Sequence, residues 1–183
     1  MKTKQPLFNL KSIFLCSAML LALMALAQNS PKNKRMIADS RNAINVFNKT
    51  DPSMKRLFTN SYAYVVFPNV GKGGLGLGGA FGNGIVFINS KAVGTAKLSQ
   101  VSVGVQVGGQ GYREVIFFEH KNNFDEFKEN KLKISAQVSA VIAASGASAN
   151  ANYANGILIF AQPKGGLMYE ISVGGQTFNY ADF

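Results

Sequence analysis

Between residues 36 and 49 the apolar side chains of Ile37, Ala43, Ile44 and Phe47 recur close to every 3.6 residues, which predicts an amphipathic helix. Asp51-Pro52-Ser53 interrupts it and places Ser53 to cap a second short helix over residues 54–60. After Ser61 the texture changes. Residues 62–67 form an aromatic and β-branched run, predicted as a strand that stops at Pro68-Asn69. Residues 75–88, 96–110 and 115–119 continue as β, and residues 124–132 (FDEFKENKL) return to a helical pattern. Strands are then expected over 134–144, 157–162 and 167–173, with 176–180 as a final edge and a small polar loop at 145–155. Helices first, then a sheet interrupted by one helix, make an α+β domain. The expected architecture is N-terminal helices packed on a strongly coiled, mostly antiparallel sheet or partial barrel with one inserted helix.

The coiling is read from the glycines. Gly74, Gly76, Gly78, Gly82 and Gly84 share one parity, so in an extended strand they lie on one face, and Gly104 and Gly108 do the same opposite a row of valines. A bare face weakens a strand unless the sheet bends sharply or something approaches it closely.

The first 27 residues stand apart from this domain. Lys2, Lys4 and Lys11 precede an apolar run over residues 13–26, and Ala25-Leu26-Ala27 has the small residues of a cleavage site. That run is shorter than the roughly 20 residues needed to span a bilayer, so a signal peptide is expected rather than an anchor. Lipidation at Cys16 is excluded because Ile13, Phe14 and Leu15 are too bulky for that processing. The expected organisation is a signal peptide over 1–27, a linker over 28–35 and one domain over 36–183. The protein is then expected to be exported, to the periplasm or to the extracellular side or cell envelope.

Removal of the leader takes away the sole cysteine and three lysines, so the net charge falls from +10 to +7. No disulfide, thiolate nucleophile or cysteine-ligated metal is available to the processed chain. His120 is the sole histidine, too few for a triad or a two-histidine metal site. Asp125, Glu126 and Glu129 fall at helical spacings from Lys128 and Lys133 and read as a solvated, salt-linked face. Gly74-Leu75-Gly76-Leu77-Gly78-Gly79 matches a dinucleotide fingerprint by letter, but no helix follows and no acid occurs between Asp51 and Glu114. The chain is therefore expected not to be an enzyme and to use no cofactor or metal.

The same acid-free window is basic. With the cations flanking the first helix, it points to an anionic surface as partner. Stacking-type interleaving of aromatic and basic residues is missing, so nucleic acid is not expected.

Four stretches in order, Ala63-Tyr64-Val65-Val66-Phe67-Pro68-Asn69-Val70-Gly71-Lys72-Gly73-Gly74-Leu75-Gly76-Leu77-Gly78-Gly79, Val103-Gly104-Val105-Gln106-Val107-Gly108-Gly109-Gln110, Val115-Ile116-Phe117-Phe118 and Lys164-Gly165-Gly166-Leu167-Met168-Tyr169, resemble the SYLF domain family over about residues 36–180. The resemblance implies a compact lipid-binding domain. Eukaryotic members bind phosphoinositides, partly through a basic amphipathic N-terminal helix, and some bind actin filaments. This chain lacks the SH3 and FYVE modules of such proteins, and export would keep it from cytoplasmic actin, so actin is not expected.

The reading that results is a non-enzymatic, exported domain that binds anionic lipid or a membrane surface. Its contacts are expected from Arg41, Ile44, Phe47 and Lys49 of the first helix and from loops presenting Lys72, Lys91, Arg113 and Lys164. The alternative is an envelope structural domain whose glycine-bare sheet docks a protein partner. An outer-membrane barrel would need at least about eight strands of 9–11 residues and aromatic girdles, which two helices, several short strands and no tryptophan argue against.

Overall fold

The computed structural model describes residues 30–75, 77–103, 110–132, 134, 140–165 and 173–183; the predicted leader lies outside them. Helix α1 (Pro31–Thr50) begins five residues before the predicted start and takes in most of the expected linker. Pro31 explains this, because proline is pre-organised for the first helical turn, where its missing N–H has no partner to lose. Helix α2 (Met54–Asn60) follows as expected. Ser53 does not cap it with its hydroxyl. The buried Asp51 carboxylate instead accepts from the Ser53 N–H (3.1 Å) and from the Ser148 N–H (2.7 Å), tying the α1–α2 junction to a distant turn.

Strands β1 (Ala63–Leu75), β2 (Leu77–Ile88), β3 (Lys91–Val103) and β4 (Gln110–Phe118) lead into helix α3 (Lys121–Lys128). Strand β5 (Val141–Ile142), a 3₁₀ turn (Ala147–Ala149), β6 (Ile157–Pro163) and β7 (Gln176–Asp182) complete the elements of the described residues. Among the described residues the seven strands form one sheet in the order β5-β6-β4-β1-β2-β3-β7, antiparallel except for the β5–β6 pair, and that sheet is not closed into a barrel. The α+β architecture is the expected one. Some boundaries differ. Helix α3 starts earlier than residue 124, so the Asp125–Lys128 pairing gives way to Lys121–Asp125 at i,i+4. Of the described residues in the strand expected over 134–144, Val141–Ile142 pair as a strand, and residues 135–139 lie outside the described ones. Most of the strand expected over 167–173 lies outside them too.

One further difference matters for function. Strand β1 runs straight through Pro68, because the register slips by one residue between Val66 and Asn69 against β2 and between Phe67 and Val70 against β4. A bulge accommodates a residue with no N–H to give to the ladder. It also reverses the parity of everything downstream. Tyr64 and Val66 face one side of the sheet with the helices, whereas Val70 and Lys72 turn to the other side with Phe67.

The sheet is strongly curled. Phe67 of β1 and Phe178 of β7 bring their ring centroids to 6.1 Å although two strands separate them in the sheet. The concave side holds one core, with Val65, Phe67, Ile116 and Phe118 under the Phe124 and Phe127 rings of α3. The convex side holds the other, in which α1 and α2 bury Phe47, Met54 and Phe58 against Tyr64, Phe87 and Phe117. The close approach inferred from the glycines occurs at Gly84, where an added Cβ would lie 2.6 Å from the Val66 carbonyl oxygen and 2.7 Å from the Phe67 ring. Gly76 and Gly104 lie outside the described residues.

Candidate functional site

Helix α1 lies on the convex face along its apolar stripe, which decides what it presents to solvent. Ala43 and Phe47 are buried, Phe47 completely, so Phe47 is a core residue and not an insertion side chain. The helical periodicity was real, but the sheet already occupies that face. Ile44 is half-buried and lines, with Arg41, Asn45 and Lys55, a groove of about 500 Å³ between α1, α2 and the β2–β3 turn. Arg41 and Lys49 are exposed on the outer side of the helix. Lys91 is exposed where Asn89 and Ser90, both with positive φ (49° and 63°), make the two-residue turn between β2 and β3. Arg113 is half-buried on β4. Lys164 is exposed and donates from Nζ to the Asn69 side-chain oxygen.

Lys72 departs from the expectation. It is only 6% exposed and cannot serve as a surface contact. The β1 bulge turns it into the concave interior, where burial lowers its pKa while Glu114 opposes that shift. Glu114 is fully buried. Desolvation pushes its pKa up to about 7, against a hydrogen bond from Gln176 and the charge of Lys72. Tyr112, also fully buried, has its pKa raised by burial and by Glu114. The interior of the curled sheet thus carries an ionisable cluster from β1 and β4, hydrogen-bonded by Gln176 of β7. No local sequence signal marked it, because Glu114 and Gln176 are 62 residues apart.

The exposed charges are segregated. Glu119, Asp125, Glu126, Glu129 and Asp182 gather around α3 and the end of β7, and the ion pairs among the described residues all lie there: His120–Glu119, Lys121–Asp125, Lys128–Asp182 and Lys131–Glu129. The exposed cations of α1, α2 and the β2–β3 region (Lys32, Lys34, Arg35, Arg41, Lys49, Lys55, Arg56, Lys91 and Lys97) form no ion pair among the described residues. Among those residues Asp39 is the one exposed acid on that side. His120 stands at the exposed start of α3, with its ring nitrogen 3.7 Å from Glu119. Among the described residues no group of three or more His, Cys, Asp or Glu could hold a metal.

Two residues escaped the sequence reading. Phe81 is 67% exposed and Val101 is 76% exposed, the large apolar side chains that the fold leaves in water among the described residues. In the sequence the valine row that includes Val101 serves only to define the bare glycine face, and nothing singles out Phe81.

Residues 99–181 match the family described as "Ysc84: Las17-binding protein actin regulator". The chain is also similar to "Beta cell expansion factor A" of Aeromonas veronii, 28% identical over 160 residues, which cover 82% of this chain and 60% of that protein. The matched segment is less than half of the chain, which is similar to the SYLF family over that segment. The chain spans about 60% of the length of that relative. The matched segment takes in β4 to β7 with Glu114, Arg113, Lys164 and Gln176, and three of the four quoted stretches; Ala63 to Gly79 and helix α1 precede it.

Proposed function

We propose that this SYLF-type protein is a non-enzymatic, exported module that binds anionic membrane surfaces, with export by cleavage after Ala27. The segregation of charge carries this reading. Cations that are exposed, outside any ion pair among the described residues and gathered on the helix-bearing convex side create a positive field with one exposed acid near it, whereas acids at the α3 pole are engaged by lysines. Each cation near an anionic surface contributes about 1 kcal/mol, and the field decays within a Debye length of about 8–10 Å. Arg41, Lys49, Lys91, Arg113 and Lys164 are the residues assigned to this contact; Phe47 and Lys72 are withdrawn from it by burial.

Among the described residues no helix is long and apolar enough to cross a membrane. The test is vesicle flotation of the chain from Gln28 onward, which contains every described residue. It should float with phosphatidylglycerol vesicles at low salt and remain behind with phosphatidylcholine vesicles. Failure to float with any head group would transfer the reading to an envelope protein partner.

A further inference from the structure

The geometry points to the distal end of the β2–β3 ribbon, and not to helix α1, as the element that enters the apolar layer of an anionic bilayer; this rests on the membrane-surface reading above. The apolar stripe of α1 is spent on the convex core, with Ala43 and Phe47 buried. The convex face of β2 carries Ile85 and Phe87 beneath the helices, then continues past them to Asn83 and Phe81. There the cover ends.

The register sets Phe81 opposite Ser99 and Gly79 opposite Val101, so Phe81 and Val101 are diagonal neighbours on one face. Gly79 shapes the patch. A Cβ at that position would meet the edge of the Phe81 ring at 3.2 Å, so the ring leans across the glycine towards the Val101 row. Phe81 and Val101, 67% and 76% exposed and adjacent on one sheet face, form a joined apolar patch rather than scattered single side chains.

Charge selects the partner. Lys97, exposed and paired in register with Asn83, shares the face, and Lys32 and Arg35 of the first helical turns line a groove of about 500 Å³ with Pro68, Asn69 and Asn83 at its border. Asp39 also lines that groove and is the single acid there. An apolar pair bordered by three cations matches the layering of an anionic bilayer, with phosphates outside and acyl chains within.

The protein contains no tryptophan, so Phe81→Trp places a sole indole reporter at an exposed site where the larger ring has room. On addition of phosphatidylglycerol vesicles the indole emission of this variant should move to shorter wavelength and be quenched by lipids brominated on the acyl chain. A Phe81→Ser, Val101→Ser double variant, checked for native melting, should lose the salt-resistant part of flotation by about tenfold or more. If the parent floats but the indole emission of Phe81→Trp stays unshifted and unquenched, this inference falls and the membrane reading stands. If the parent floats with no vesicle, the membrane reading itself falls and takes the inference with it.

Discussion

The Gln176 side-chain amide donates to a Glu114 carboxylate oxygen at 2.9 Å across the concave interior, joining β7 to β4 although β1, β2 and β3 lie between them in the sheet. The bond spans the open side of the curled sheet inside a core that excludes water from both residues. Its strength depends on the proton at Glu114. The carboxyl titrates near 7 in the folded protein and near 4.5 when unfolded. Folding therefore holds a proton that the unfolded chain releases between those values. The stabilisation from that group is complete below about 4.5 and is lost as pH rises through 7. A shift of this size corresponds to about 3 kcal/mol between the two protonation states. Thermal melts should show falling stability from pH 5 to pH 8. Glu114→Gln, which keeps an acceptor for Gln176, should flatten that slope and stabilise the protein at pH 8. A Glu114→Gln slope equal to the parent's would refute the assignment.

Asp51 acts in the opposite direction. Burial alone would raise its pKa, but hydrogen bonds from Ser148 and Ser53 outweigh that and lower it below 3.8. Its stabilisation is present above that value and is lost as pH falls through the folded pKa. Asp51→Ala leaves the buried Ser148 N–H unpaired and frees the α1–α2 junction from the 3₁₀ turn, at a cost of about 1–3 kcal/mol. Chemical denaturation at neutral pH measures it. Asp51→Asn, which retains one acceptor, should recover part of the loss.

Gly84 and Gly71 form a matched test of the glycine pattern. A methyl group at Gly84 would overlap the Val66 carbonyl and the Phe67 ring, both held in place by the bulged strand, and should destabilise by about 1–3 kcal/mol. At Gly71 an added Cβ meets nothing within 4 Å, so Gly71→Ala should be neutral or slightly stabilising through the unfolded state. Equal melting temperatures for the two variants would show that glycine at residue 84 is not demanded by packing.

The element types were legible because their cause is local. Periodicity defined α1, the Asp51-Pro52-Ser53 break placed α2, and β-branched runs marked β1, β4 and β6. What escaped was the effect of one residue on all that follow. Phe67-Pro68-Asn69 carries a turn signal, and only pairing with two neighbouring strands turns it into a bulge. Once it does, Lys72 passes to the interior. The apolar stripe of α1 posed a different difficulty, since a stripe made for a bilayer and one made for a sheet read alike. Burial of Phe47 resolves it. Glu114 offered nothing to read, because its surroundings come from β1 and β7.

His120 is solvent-facing, and its ring nitrogen lies 3.7 Å from Glu119. His120→Ala should fold as the parent does and retain vesicle binding. Loss of any function in a still-folded variant would overturn the non-enzymatic reading.

Charge reversal separates the membrane contact from general basicity. Arg41→Glu with Lys91→Glu removes two exposed cations from the convex side, neither of them in an ion pair among the described residues. The pair should weaken binding to phosphatidylglycerol vesicles by at least about 2 kcal/mol at low salt, and by much less at high salt, where the field is screened. Lys131→Glu is the control, because it changes net charge equally per residue at the acidic α3 pole, where Lys131 already pairs with Glu129 at 2.6 Å. It should leave flotation almost unchanged. A Lys72→Glu variant is not an equivalent probe, since a second carboxylate beside the buried Glu114 would unfold the interior before it altered the surface. Circular dichroism must therefore accompany every flotation series. If Lys131→Glu weakens binding as much as either convex-side reversal, net charge rather than its placement governs the attraction, and the assigned surface is wrong.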